Sequence, residues 1–165
     1  SICTVCADFY QAAFYRIYSS MALRDSLSEG DSYFIVEIKS MKRIFDAVKA
    51  SDIPVLCTID EVLRGTNTAE RIGASTELLK ALSKQGVLCF AATHDMELTT
   101  YLKDVYDNYH FEEMVDGDQI SFPYRLANGP SRGRNAIRLL EAFGFDREIT
   151  DNAHRLAEKL TGEQT

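Results

Sequence analysis

No apolar run in this 165-residue sequence approaches the roughly 20 residues that a bilayer-spanning helix needs, so no membrane partner is expected. The opening Ser1-Ile2-Cys3-Thr4-Val5-Cys6 has neither the basic n-region nor the cleavage site of a secretory signal. It also has no Met at position 1, and the sequence reads as a trimmed chain. Basic residues are short too: 18 against 25 acidic, a formal net charge of −7. That balance excludes a surface built to neutralise many phosphates, so any role near DNA rests on other domains. Cysteines do not assemble a metal set. Cys3 and Cys6 have CxxC spacing, but no second pair or nearby His joins them. Cys57 and Cys89 lie inside apolar runs and read as small buried hydrophobes, so a reduced, cytoplasmic protein is expected. Repeats and low-complexity tracts are absent. What remains is 45% apolar and 26% charged residues, a globular composition at the length of one domain.

Periodicity divides the chain into elements. Phe14 to Tyr18 resembles a strand, and Arg24 to Ser32 a polar loop. A helix is expected from Asp31 to Ala50, with Phe34, Ile38, Met41, Phe45 and Val48 marking its buried face. The apolar, β-branched run Pro54 to Ile59 predicts a strand covered on both faces, as in a parallel sheet. After a polar turn at Arg64 to Thr68, a second helix should span Ala69 to Gln85, closed by Gly86. Val87 to Ala92 predicts a second buried strand, completing a βαβ unit. Further on, Tyr106 to Val115 and Gln119 to Tyr124 flank the hairpin signal Asp116-Gly117-Asp118. Leu126 to Arg134 reads as a linker, and helices near Asn135–Phe143 and Glu148–Leu160 finish the chain. Arg125, Arg132, Arg134 and Arg138 form a local basic patch, read as a solvated face.

Ligands of parallel α/β sheets gather at the carboxyl ends of strands. Two such ends here are polar: Asp60-Glu61 after the first strand and Thr93-His94-Asp95 after the second. One acid there can serve Mg²⁺ and its neighbour can orient or deprotonate a water, with the imidazole reaching a terminal phosphate. A turn that merely follows a strand explains an Asp-Glu pair equally well. His110 and His154 carry no functional reading.

The wider strings are more specific. Leu56-Cys57-Thr58-Ile59-Asp60-Glu61-Val62-Leu63-Arg64-Gly65-Thr66-Asn67-Thr68, followed by Ala91-Ala92-Thr93-His94-Asp95-Met96-Glu97-Leu98, closely resembles the MutS family of ATPases. The family's stretches read as hydrophobics-D-E-x-x-R-G-T-x-T and A-T-H-x-x-E-L. Upstream, Gly30-Asp31-Ser32-Tyr33-Phe34-Ile35-Val36-Glu37 resembles its G-x-S-x-F-x-x-E segment, and Gly129 to Ala136 with the paired helices resembles its C-terminal end. The resemblance implies an α/β fold with a P-loop NTPase (ABC-like) core of parallel strands and flanking helices, an antiparallel hairpin and short C-terminal helices. It implies a partial ATPase domain over residues 1–125, with the linker and helical tail of the same domain over 126–165.

By the same resemblance, ATP and Mg²⁺ are the cofactors. Asp60 is the Walker B carboxylate for Mg²⁺, Glu61 the water-polarising acid, and His94 the switch histidine sensing the γ-phosphate. Thr66 and Asn67 lie in the loop along the dimer interface and are read as nucleotide-binding. Ser32 would contact ATP held by the partner subunit of a homodimer. From spacing alone, Ser28 and Ser32 read as helix N-caps. DNA would be bound by domains outside this chain. Two departures stand out. No G-x-x-x-x-G-K-[ST] occurs, so the chain is expected to be an incomplete fragment that begins after the phosphate loop and is inactive alone. Glu70-Arg71 stands where mismatch-recognising members carry Asp-Gly, and Asp95 where they carry an aromatic, which points to a MutS-related branch. Alternatives are another ABC-type ATPase head, such as that of a chromosome-maintenance complex, and a non-catalytic dimerisation module.

Overall fold

The computed structural model describes residues 8–21, 33–83, 86–112, 114–116, 119–121, 123–131 and 136–162. The chain falls into two compact units, Ser1–Tyr106 and Asp107–Thr165. In the first, β1 (Arg16–Ser20), α1 (Tyr33–Ala50), β2 (Val55–Asp60), α2 (Thr68–Ser83), β3 (Leu88–Ala92) and α3 (Met96–Tyr101) alternate. The strands form one parallel sheet in the order β1-β2-β3, with Tyr18, Cys57 and Cys89 side by side in register. Parallel strands joined by helices are what the alternating sequence pattern demands.

The core sits on one face of this sheet. Val55, Cys57 and Ile59 alternate along β2 and are all buried, as a period of two requires. Met41 and Ile44 of α1, and Leu79 and Leu82 of α2, join Cys57 and Ile59 in that core. The α1 stripe differs in detail from the expected one. Ile44 is wholly buried, whereas Ile38 remains 40% exposed; Phe34, Met41, Phe45 and Val48 lie in or against the core as expected, with Glu37 on the same side. The expectation of two buried strands is corrected for β3: among the described residues Leu56 and Thr58 of β2 are half-buried, but Leu88 of β3 is 44% exposed. On the same face, away from the core, Ile17 is 71% and Phe90 61% exposed, in register with Leu56 and Thr58 between them. An unbroken apolar run means that both faces suit burial, and it does not say that a cover is present.

Element boundaries follow the punctuation closely. β1 begins two residues later than its aromatic run suggests, and α2 begins one residue earlier at Thr68. Gly86 takes a left-handed φ of 66°, the conformation glycine adopts most readily between a helix and the next strand. The short helix α3 follows the second polar strand end and is held by buried Leu98, an element the periodicity does not announce. Among the described residues no helix is long and apolar enough to cross a membrane.

In the second unit, β4 (Tyr109–Phe111) pairs antiparallel with β7 (Leu126–Asn128), and β5 (Met114–Asp116) with β6 (Gln119–Ser121). The expected hairpin is the β5-β6 pair, and its turn residues 117 and 118 lie outside the described residues. Two differences have one cause. The long strand expected up to Val115 is broken into β4 and β5, and part of the expected linker is β7. Main-chain pairing across a distance of sequence, such as His110 with Ala127, leaves no local pattern. The helices α4 (Ala136–Ala142) and α5 (Arg147–Gly162) complete the unit.

Candidate functional site

The carboxyl ends of β2 and β3 lie side by side, with Asp60 in register with Ala92. One further ladder bond, from the Glu61 N–H to the Ala92 carbonyl at 2.9 Å, carries the pairing past the end of β2. There the chain turns sharply. Glu61 and Leu63 both adopt φ of 57°, a left-handed conformation that costs a non-glycine residue about 1–2 kcal/mol. The side chains of Val62 and Leu63, buried in the core, hold the turn in place. Strain of this kind, fixed by packing, is common where a side chain must be aimed.

The turn points the Glu61 carboxylate inward at 16% exposure, while His94 stands at 91%. Arg64 Nε donates to Glu61 Oε2 at 2.5 Å, and His94 Nε2 lies 3.0 Å from Glu61 Oε1. That second approach is an ion-pair distance without hydrogen-bond alignment, so Oε1 is buried with no hydrogen-bond partner among the described residues. The Arg64 guanidinium beside Glu61 holds its carboxyl below the ordinary range, against a smaller opposing effect of burial. Glu61 is thus an ionised carboxylate with one oxygen tied and the other open to a proton donor. Asp60 is exposed at the strand end beside it.

Glu37 of α1 lies beneath the same loop. Burial pushes its pKa up and outweighs the opposing effect of the Gly65 and Arg64 backbone N–H groups, which its carboxylate accepts. Gly65 packs so closely on α1 that a Cβ would lie 2.7 Å from the Phe34 Cβ. Phe34, expected on the buried face of α1, and Glu37, part of the upstream motif, are therefore the floor of the Arg64-Gly65 turn. Thr66 Oγ1 donates to Glu70 Oε2 at 3.0 Å, and Asn67 Oδ1 accepts the Glu70 N–H at 3.0 Å. Asn67 so caps α2, a geometry that fixes where the loop ends.

The loop after β3 is tied down separately. Arg71 Nε and Nη2 donate to Asp95 Oδ2 and Oδ1, both at 2.7 Å. This two-pronged pair is about four-fifths buried on both sides, the geometry in which guanidinium and carboxylate bind best. The Asp95 N–H also bonds Thr93 Oγ1 at 3.0 Å. Arg71 and Asp95 belong to the two stretches at which the chain departs from the MutS pattern, and here they meet each other.

Residues 3–161 match MutS domain V. The chain belongs to that family. It is 32% identical to the DNA mismatch repair protein MutS of Aquifex pyrophilus, over 90% of this chain and 17% of that protein. With the protein of the same name from Natronomonas pharaonis the identity is 30% over 87% and 17%, and with that from Thermus thermophilus 26% over 85% and 17%. The chain therefore spans about one sixth of the length of these MutS relatives.

Of the residues singled out in the sequence, the fold brings Asp60, Glu61 and His94 to one sheet edge, with Thr66 and Asn67 in the loop beyond. Ser32 lies outside the described residues. Sequence reading assigns no individual role to Glu37, Arg71 or Asp95, and places Arg64 only in the interface loop that the resemblance implies. The glutamate in the apolar stripe of α1 was the available signal for the first. The donors around the site are hard carboxylate oxygens, and Asp60 is exposed at the strand end, which suits Mg²⁺. No group of three or more ligating side chains occurs among the described residues, so Mg²⁺ would take one or two carboxylates here, with waters and phosphate oxygens, its usual preference. The triphosphate is a different matter. Four carboxylates, Glu37, Asp60, Glu61 and Asp95, crowd this edge, and Arg64 and Arg71 are already paired. These residues alone do not cradle a polyanion.

Proposed function

We propose that this chain supplies the metal-binding and water-activating half of a MutS-type ATPase site. The observation that carries the reading is the approach of His94 to the unpartnered oxygen of Glu61, 3.0 Å apart, beside Asp60. In this reading Mg²⁺, when bound, neutralises charge on the phosphates. Asp60 is the residue that would hold it. Glu61 Oε1 accepts the proton of the attacking water while Arg64 fixes the carboxylate's other oxygen. His94, exposed on the next strand tip, donates toward the terminal phosphate. Thr66 and Asn67 set the loop that faces a second subunit, and the resemblance assigns Ser32, outside the described residues, to the nucleotide of that subunit.

The phosphate cradle belongs to sequence other than these 165 residues, which contain no Gly-Lys-Ser or Gly-Lys-Thr. The chain alone should therefore show no MgATP turnover. Joined behind the upstream sequence of a relative such as the Aquifex pyrophilus MutS, it should hydrolyse MgATP, and Glu61→Gln should abolish turnover while leaving ATP binding intact. A folded chimera that keeps its full turnover after the Glu61→Gln change sinks the assignment. The relatives' names suggest DNA mismatch repair as the context for the whole protein; that it acts as a homodimer and binds DNA through other domains belongs to this proposal. A second reading, as an association module, is favoured by α5, where Ile149, Leu156 and Leu160 are all half-exposed or more at helical spacing. Concentration-dependent sedimentation that Leu156→Glu removes would support it.

A further inference from the structure

Cys57 and Cys89 are distant in sequence, yet the sheet sets them opposite each other, one in β2 and one in β3. Both are free thiols, and the strand register puts them on the same face of the sheet. They lie on the face that the helices cover. Cys57 is wholly buried, whereas Cys89 keeps partial access to solvent. Tyr106 completes the group: its hydroxyl lies against Cys89 and donates to the Leu79 carbonyl at 3.0 Å.

The two thiols are not equivalent. The neighbouring Cys89 thiol, helped by burial, pushes the Cys57 thiol up. The neighbouring Cys57 thiol draws Cys89 down, burial opposes this, and Tyr106 adds to the lowering. A reachable thiol whose pKa is drawn down, next to a buried one that can resolve its adducts, is the arrangement reversible oxidation needs. Spacing permits the bond as well. Neighbouring strands lie about 4.8 Å apart, within the ~4.4–6.8 Å separation of Cα atoms that a disulfide spans.

We propose that Cys57 and Cys89 form a reversible dithiol–disulfide pair that closes across β2 and β3 when the protein meets a small disulfide oxidant. The Cys89 thiolate attacks one sulfur of the oxidant, forming a mixed disulfide and expelling a small thiolate, which takes the proton of Cys57. The Cys57 thiolate then attacks the Cys89 sulfur. The cross-strand S–S bond forms, and the second small thiolate leaves and picks up the proton that Cys89 had given to solvent. Two protein thiols are oxidised by two electrons and one small disulfide is reduced to two thiols. The new bond would staple the two strands whose tips carry Asp60 and His94, independently of what those tips do.

The test uses the full chain with Cys3→Ser and Cys6→Ser, which leaves Cys57 and Cys89 as the only thiols. After oxidised glutathione in native buffer, both thiols should vanish together in a monomer, a Cys57–Cys89 linked peptide pair should appear on proteolysis, and dithiothreitol should restore both. Adding Cys57→Ser should stop the reaction at a stable glutathione adduct on Cys89. Two thiols that stay titratable, a persistent Cys89 adduct with Cys57 free, linkage between chains, or closure only in denaturant would each overturn the proposal. Should the triple variant fail to fold, the linked-peptide measurement on the double variant decides alone.

Discussion

Two single residues beside the strand tips carry testable consequences. Gly65 has no room for a methyl group, because a Cβ would sit 2.7 Å from the Phe34 Cβ. Gly65→Ala should cost about 1–3 kcal/mol in urea unfolding, the usual cost of forcing extra volume into a packed contact. Phe34→Ala in the same background should recover part of it, since the clash partner is then gone. Glu61 and Glu37 make opposite contributions to pH dependence. The folded pKa of Glu61 is depressed by Arg64, so its stabilisation is present above the ordinary carboxylate value of 4.5 and fades as pH falls through the lower folded value. The folded pKa of Glu37 is raised by burial, so its contribution is full below 4.5 and is lost as pH rises through the higher folded value. Unfolding midpoints across the acid range should therefore show Glu61→Gln losing its disadvantage against the parent as pH falls. Glu37→Gln should gain on the parent as pH rises.

Elements owe their positions to few contacts, and these differ in what they tell a reader of the sequence. Leu82 and Ile44 are wholly buried between the helices and the sheet, and Leu82→Ala should cost about 2–5 kcal/mol, measured by thermal or urea unfolding. The Arg71–Asp95 pair ties the start of α2 to the loop that carries His94. A double-mutant cycle over Arg71→Ala and Asp95→Ala should return a coupling of about 1 kcal/mol; zero coupling would mean that the pair is ornamental. The helices and parallel strands were legible because their periods are local, and Asp60, Glu61 and His94 were legible because each ends an apolar run. Ile44 in place of Ile38, the β4-β7 pairing and the Arg71–Asp95 bridge were not. Helix rotation answers to the partner surface, and pairing between distant segments has no signature in either segment alone. Glu37 hid for another reason: a charged residue on a buried stripe reads as an exception until the backbone N–H groups it receives are seen.

At the scale of the molecule the apolar core is unevenly shared. Every wholly buried apolar side chain among the described residues, from Met41 to Leu102, belongs to the first unit, while the second is held by short ladders and the α4–α5 pair. Native-state hydrogen exchange should find the slowest amides in β2, α1 and α2, and markedly faster exchange from Asp107 onward. Equal protection in both units would contradict the division. The uncovered sheet face, with Ile17 and Phe90 standing out beside Leu88, bears on how this protein is handled at the bench. Dyes such as anilinonaphthalene sulfonate brighten on apolar surface and are usually taken to report loosened packing. Among the described residues such a surface is exposed in the folded state, so bright fluorescence is expected from a sound preparation, and near-ultraviolet dichroism or calorimetry is the better gauge of packing.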